Sequence, residues 1–183
     1  MSLGQPLVPH QAAPDPIDPG IRLGHAHLRT ADIDRIRHFY VDVLGFDVIA
    51  EGREVPGWGT TGDILFLSAG GYHHHLAFNT WKSRDGEPMP DGYTGLHHIA
   101  IAYPTRRALA DAYRRLKAID WPIRQAEAYS THDAIYVLDP DGNTLELMWD
   151  RPPEQWARDD DGHQALVFGE PLDLEELLNE LDG

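Results

Sequence analysis

The chain of 183 residues contains no cysteine. That excludes disulfides, thiolate metal sites and cysteine nucleophiles, and leaves histidine and carboxylate as metal ligands, a set suited to a hard or borderline cation. Basic residues are also scarce: 15 Lys and Arg stand against 30 Asp and Glu, a net charge of -15. A phosphate-backbone partner needs a basic surface, so nucleic acid is excluded as a partner. No apolar run reaches about 18 residues. The opening MSLGQPLVPHQAAPDPIDPG is proline-rich and has no apolar core of a leader, which argues against membrane insertion or secretion and makes the cytoplasm the expected location.

What the chain does have is hydrophobic content, 42%, enough to bury a core as one domain or two joined half-size modules. Internal repetition decides how it is used. RLGHAHLRTADIDRIRHFYVDVLGF opens one half and GLHHIAIAYPTRRALADAYRRLKAI the other. Each begins with a histidine-bearing strand, Leu23–Arg29 and Leu96–Ala102. Each continues into a helix, the first capped by Asp32 and closed by Gly45, with Ile33, Ile36, Phe39, Tyr40, Val43 and Leu44 on one face. The second is capped by Thr105 and buries Leu109, Tyr113, Leu116 and Ile119. Three strands follow each helix: Asp47–Gly52, Asp63–Ser68 and Tyr72–Asn79, then Ile123–Ala128, Ala134–Leu138 and Thr144–Trp149, with DPDGN at 139–143 as a turn.

The expected fold is α+β: two tandem βαβββ modules forming a curved mixed sheet around a metal-binding cavity. The expected segments are a flexible N-terminal stretch at 1–20, a first module at 21–81 and a linker or lid at 82–94, rich in Gly, Pro and charge. A second module follows at 95–150, then an acidic tail at 151–183 carrying a short amphipathic helix.

The histidines pose the chemical question. GYHHHLAFNTW at 71–81 places three in a row at mid-chain. In an extended strand, neighbours point to opposite faces, so His74 diverges from His73 and His75 and no more than two share a wall. His25 shares a face with Leu23, His27 and Arg29; His98 shares one with Leu96, Ala100 and Ala102, small residues that leave room for a ligand. His25 and His98 occupy the same place in their repeats, and Glu146 lies where the second repeat ends. Two histidines and a carboxylate on inward faces would make a facial triad with open positions on a divalent metal. Taken singly, each has a plainer reading: histidines such as His27, His38, His97 and His132 are ordinarily structural or solvated, and a lone strand glutamate is ordinarily solvent-facing. Trp58, Tyr72, Phe78, Tyr93 and Trp149 are candidate aromatic wall or core residues.

HAHLRTADIDRIRHFYVDVLGF, HHIAIAYP and IYVLDPDGNTLELMWDRP resemble the vicinal oxygen chelate superfamily, which includes type I extradiol dioxygenases, glyoxalase I and bleomycin-resistance proteins; the resemblance covers Leu23 to Asp150. GYHHHLAFNTW and AIYVLDPDGNTLEL are most similar to the catechol 2,3-dioxygenase branch. The resemblance implies His25, His98 and Glu146 as ligands of Fe(II), with Mn(II), Zn(II) and Ni(II) as alternatives. It implies His74 as the acid-base residue beside the metal and Tyr136 as the tyrosine that hydrogen-bonds a bound catecholate. The implied partners are a small aromatic substrate and dioxygen, and exposed sheet edges make a homodimer plausible. The sequence departs from the branch where a further active-site histidine is expected: EAYSTHDAIY offers only His132, which would serve after a local shift of the loop. Two other classes stay open: a glyoxalase I-like isomerase or lyase with an additional ligand such as His73 or His75, and a metal-free binding protein of the bleomycin-resistance type.

Overall fold

The structure is a computed structural model that describes residues 12–90, 92–165 and 169–182. The first eleven positions of the expected N-terminal stretch therefore lie outside the described residues. The chain divides into two compact units, one of Arg22–Ile99 with Leu138–Thr144, the other built chiefly from Ala100–Val137 and Leu145 onward. Among the described residues nine strands form two sheets, accompanied by helices, as expected of an α+β chain of βαβββ repeats.

In the first unit, strand β1 (Ala26–Arg29) leads into helix α1 (Ile33–Arg37), which continues as a π-helical stretch, His38–Val43. The Asp32 side chain caps the helix by accepting from the amides of Asp34 and Arg35. Gly45, with φ of 88°, supplies the left-handed exit that a side chain would resist. Strands β2 (Asp47–Gly57), β3 (Thr60–Ser68) and β4 (Leu76–Asn79) complete the sheet in the order β1-β4-β3-β2, with β1 parallel to β4 and the other pairs antiparallel. Ile33, Ile36, Phe39 and Tyr40 pack with Leu65, Leu67 and Phe78 in a core in which none exceeds 2% exposure. Each such side chain contributes about 1.5–3 kcal/mol of burial. Phe78 is thus core and not a wall residue.

The turn at 139–143 belongs to this unit. Tyr40 Oη donates to Asp139 Oδ2 at 3.0 Å, and Arg35 pairs with Asp141. Asp139 also accepts from the amides of Asp141 and Asn143, while Gly142, at φ 83°, turns the chain. Burial pushes the Asp139 carboxyl up, against the hydrogen bonds from Asn143 and Tyr40.

In the second unit the sheet order is β5-β8-β7-β6-β9, with β5 at Ile99–Ala102, β6 at Ile123–Ala128, β7 at His132–Leu138, β8 at Thr144–Asp150 and β9 at Glu170–Pro171. Helix α2 (Arg106–Lys117) is capped by Thr105, whose hydroxyl accepts from the Ala108 amide. It buries Leu109, Tyr113 and Leu116; Ile119, beyond its end, is exposed instead. The acidic tail is more than solvated charge. Strand β9 pairs antiparallel with β6, and helix α3 (Leu174–Leu178), capped by Asp173, buries Leu177. Lys117 pairs with Glu175 at 2.6 Å, and Arg106 pairs with Glu176 and Glu180. Arg106 also reaches Asp133, which is fully buried and is held from its other side by Arg151. One guanidinium therefore ties α2, β7 and the acidic tail together.

Both first strands begin three residues later than the sequence pattern suggests, at Ala26 and Ile99 in place of Leu23 and Leu96. The reason in the first unit is pairing: β1 has ladder partners only from Leu76 onward, and Leu23 is fully exposed. Beyond β4 the start of the 82–94 segment is tied to the end of β1, since Ser83 Oγ donates to the Thr30 carbonyl and the Asp85 amide to that of Ala31.

Removing one partner of a buried ion pair strands the other charge. Arg106→Gln is expected to cost roughly 3 kcal/mol in urea denaturation, whereas Glu180→Gln, at the exposed end of the same network, should cost under about 1 kcal/mol. Equal losses would contradict the central place given to Asp133.

Candidate metal and acid-base site

In the second unit, Glu146 lies in β8 between Leu145 and Leu147, both fully buried, and is itself 5% exposed. The solvent-facing reading of this glutamate does not hold. A carboxylate taken from water needs donors. Two converge on Oε1: Tyr136 Oη donates at 2.7 Å, and His132 Nε2 lies at 3.1 Å. His132 Nδ1 meets Thr131 Oγ1 at 2.8 Å, so the tautomer that accepts there presents its proton to Glu146. The Tyr129 ring stacks on His132 with centroids 4.6 Å apart, and its hydroxyl is 3.2 Å from that of Tyr136. Burial, then hydrogen bonds to Tyr129 and Glu146, push the Tyr136 phenol well above its usual value, so it stays protonated as a donor.

His132 needs no shift of its loop to reach this group. Strand β7 starts at His132, two residues earlier than the pattern suggested, and the four-residue interval to Tyr136 puts both on one face. The signal was present in the sequence as H-x-x-x-Y, but the serine and threonine before it read as loop.

The histidines of the first unit are arranged differently from the alternation expected of a strand. Residues 72–75 precede β4, and Gly70 and Gly71, at φ 65° and 81°, turn the chain just before them. Freed from the pleat, His73 and His74 lie together, Nδ1 to Nδ1 at 2.8 Å, and do not point to opposite faces. His25 joins them, 4.2 Å from the His74 ring and 6.1 Å from the His73 ring. His75 alone turns away: its Nδ1 lies 3.1 Å from Ser68 Oγ and accepts from the Ala69 amide. His74 is half-buried, and its pKa is lowered by desolvation first and then by His25, His73 and His27. It is neutral at pH 7.

His25 immediately precedes β1 and His98 immediately precedes β5, so the two keep equivalent positions in the repeats. The His98 Nδ1 lies 2.8 Å from that of His97. Among the described residues, no group of three or more His, Asp or Glu side chains forms a metal-holding arrangement, so each predicted ligand is known by its own surroundings. In donor chemistry the set fits a divalent cation: two imidazoles, and a carboxylate whose burial leaves negative charge for a cation to balance.

The Glyoxalase/Bleomycin resistance protein/Dioxygenase superfamily profile matches residues 22–147. The chain belongs to this superfamily. Over 105 residues it is 34% identical to a catechol-2,3-dioxygenase of Bacillus subtilis, covering 57% of this chain and 34% of that protein. It is 28% identical over 129 residues to biphenyl-2,3-diol 1,2-dioxygenase 2 of Rhodococcus globerulus, covering 70% of this chain and 63% of the relative. The chain thus spans about a third to somewhat under two thirds of the length of these superfamily members. Among solved structures, a glyoxylase/bleomycin resistance protein/dioxygenase domain from Frankia matches with a TM-score of 0.60 at 18% identity, covering 72% of this chain and 98% of that one. A glyoxalase/dioxygenase from Nostoc punctiforme matches at 0.55 and 18%, over 77% and 100%. At such identity these two establish the superfamily fold alone. No described helix is long and apolar enough to cross a membrane.

Tyr136→Phe withdraws a donor from a buried carboxylate. It is expected to cost about 1–3 kcal/mol in urea denaturation of the metal-free protein. Tyr93→Phe, at a tyrosine 73% exposed, should cost nothing measurable, and identical behaviour of the two variants would sink the assignment of Tyr136 as the donor that holds Glu146.

Proposed function

We propose that the protein is an extradiol ring-cleaving dioxygenase that inserts both atoms of O2 next to the vicinal diol of a catechol-type aromatic, opening the ring to a muconic semialdehyde. The observation that carries this reading is the buried Glu146 carboxylate with Tyr136 and His132 on its Oε1. It is supported by the similarity to two dioxygenases that act on aromatic diols by name. On this reading His25, His98 and Glu146 hold Fe(II). When bound, that ion supplies a Lewis acid that eases loss of the diol protons and a site at which dioxygen is taken up.

The chain's own groups do the rest. His74 is neutral at working pH, and the tautomer that donates from Nδ1 to His73 leaves Nε2 to accept a proton from a substrate hydroxyl and return it later. Tyr136, held protonated, gives its one proton to Glu146 Oε1 and leaves its oxygen at a fixed position to accept from a substrate hydroxyl. His132, stacked on Tyr129 and bonded to Glu146, fixes the carboxylate's orientation.

A glyoxalase-like isomerase would require an extra side-chain ligand and no oxygen. His73, whose ring lies 6.1 Å from that of His25, is the residue this reading would draw on, so metal content and oxygen uptake decide between the readings. The anaerobically prepared protein loaded with Fe(II) is expected to consume one O2 per ring over a panel of catechols and to give a yellow product. No uptake across the panel would remove the assignment. His98→Ala should abolish metal binding, whereas His74→Ala should keep the metal and lose rate roughly 100-fold. Equal metal loss in both would show the roles to be misassigned.

A further inference from the structure

The first unit contains a cleft of about 320 Å³ lined by His27, Arg29, Trp58, Asn79, Trp81 and Lys82. Its walls are built rather than incidental. Trp81 Nε1 donates to the Val55 carbonyl at 3.0 Å, which pins the end of β2 to the indole. A Cβ at Gly57 would stand 2.3 Å from Trp81 Cε2, and one at Gly62 would stand 2.9 Å from Trp81 Cδ1. Both strands of the β2–β3 hairpin thus approach the indole where glycine alone fits, and Trp58 sits at the hairpin tip with φ of 53°. The floor is fixed as well: Asn79 Nδ2 donates to His27 Nε2 at 2.9 Å, and Asn79 Oδ1 accepts from the Trp81 amide.

Two cations border this aromatic cleft, and neither Arg29 nor Lys82 pairs with a carboxylate among the described residues. In a chain with twice as many acids as bases, this leaves both cations available to an anion in the cleft, whereas Arg35, Arg53, Arg84 and Arg106 have acidic partners. A series of ring contacts links the cleft wall to the histidine cluster. Ring centroids run from His25 to His74 at 4.2 Å, on to Phe66 at 5.1 Å, to His27 at 6.1 Å and to Trp81 at 6.2 Å. The four steps of extended chain from His25 to Arg29 span roughly 13 Å of backbone.

We propose that this cleft binds the carboxylate end of an elongated aromatic acid, whose ring lies against Trp58 and Trp81 and whose anion is met by Arg29 and Lys82. Guanidinium recognises carboxylate through paired, charge-assisted hydrogen bonds, and indoles supply flat apolar walls. That the far end of the same molecule carries the diol rests on the dioxygenase reading above; the anion-binding cleft does not.

The test uses metal-free protein, so it is blind to oxygen chemistry. Biphenyl-4-carboxylate and biphenyl-4-carboxamide are titrated by calorimetry and by quenching of tryptophan fluorescence. The acid is expected to bind about tenfold more tightly than the amide, a preference worth about 1.4 kcal/mol, and Arg29→Gln with Lys82→Gln should erase it while leaving the amide's affinity unchanged. Equal binding of acid and amide, a preference that survives the double substitution, or binding of neither compound would overturn the proposal. Oxygen uptake with unsubstituted catechol, which has no carboxylate, reports separately on the ring-cleaving reading.

Discussion

The arrangement depends on a carboxylate that has been taken out of water. Glu146 sits in a strand between Leu145 and Leu147, both apolar and buried, and a charge there is costly unless something repays it. Tyr136 and His132 repay part by donating to one oxygen, and they in turn are fixed by Tyr129 and Thr131. Such a chain of donors orients a carboxylate rigidly, as a metal ligand requires. The strand β7 that supplies both donors also supplies Asp133, whose clamp by Arg106 and Arg151 anchors the acidic tail. The stability of this unit and the placement of its functional carboxylate therefore share one strand.

The other unit organises rings rather than a carboxylate. Glycines at 70 and 71 release the three-histidine run from the pleat, and glycines at 57 and 62 let a hairpin close on Trp81. The outcome is a strip of aromatic and imidazole rings ending at two uncompensated cations. On the proposed reading the strip would pair a proton-transfer end with an anion-recognition end, and so orient a substituted aromatic substrate.

Much of this was legible in the sequence, because it rests on local rules. The caps Asp32 and Thr105, the exit at Gly45, the turn at Asp139–Asn143 and the stripe from Ile33 to Val43 all follow from spacing and from side chains that compete for backbone donors. The equivalence of His25 and His98 came from repetition and is kept in the structure. What escaped was set by pairing and by long-range charge. The His73–His75 segment read as strand because its composition suited one, yet its ladder partner begins only at Leu76. His132 read as loop because of the residues before it, although its interval to Tyr136 placed it in the strand. The short helix of the tail was read, but its docking was not, because the tail's charges were visible while the positions of Arg106 and Lys117 were not.

The account is tested most directly by whether Glu146 is a ligand in its own right. Anaerobic calorimetric titration of Fe(II) into the full chain is predicted to show one ion per chain, with affinity weakened at least about 100-fold in a Glu146→Gln variant that circular dichroism shows to be folded. Undiminished binding by that folded variant would contradict it.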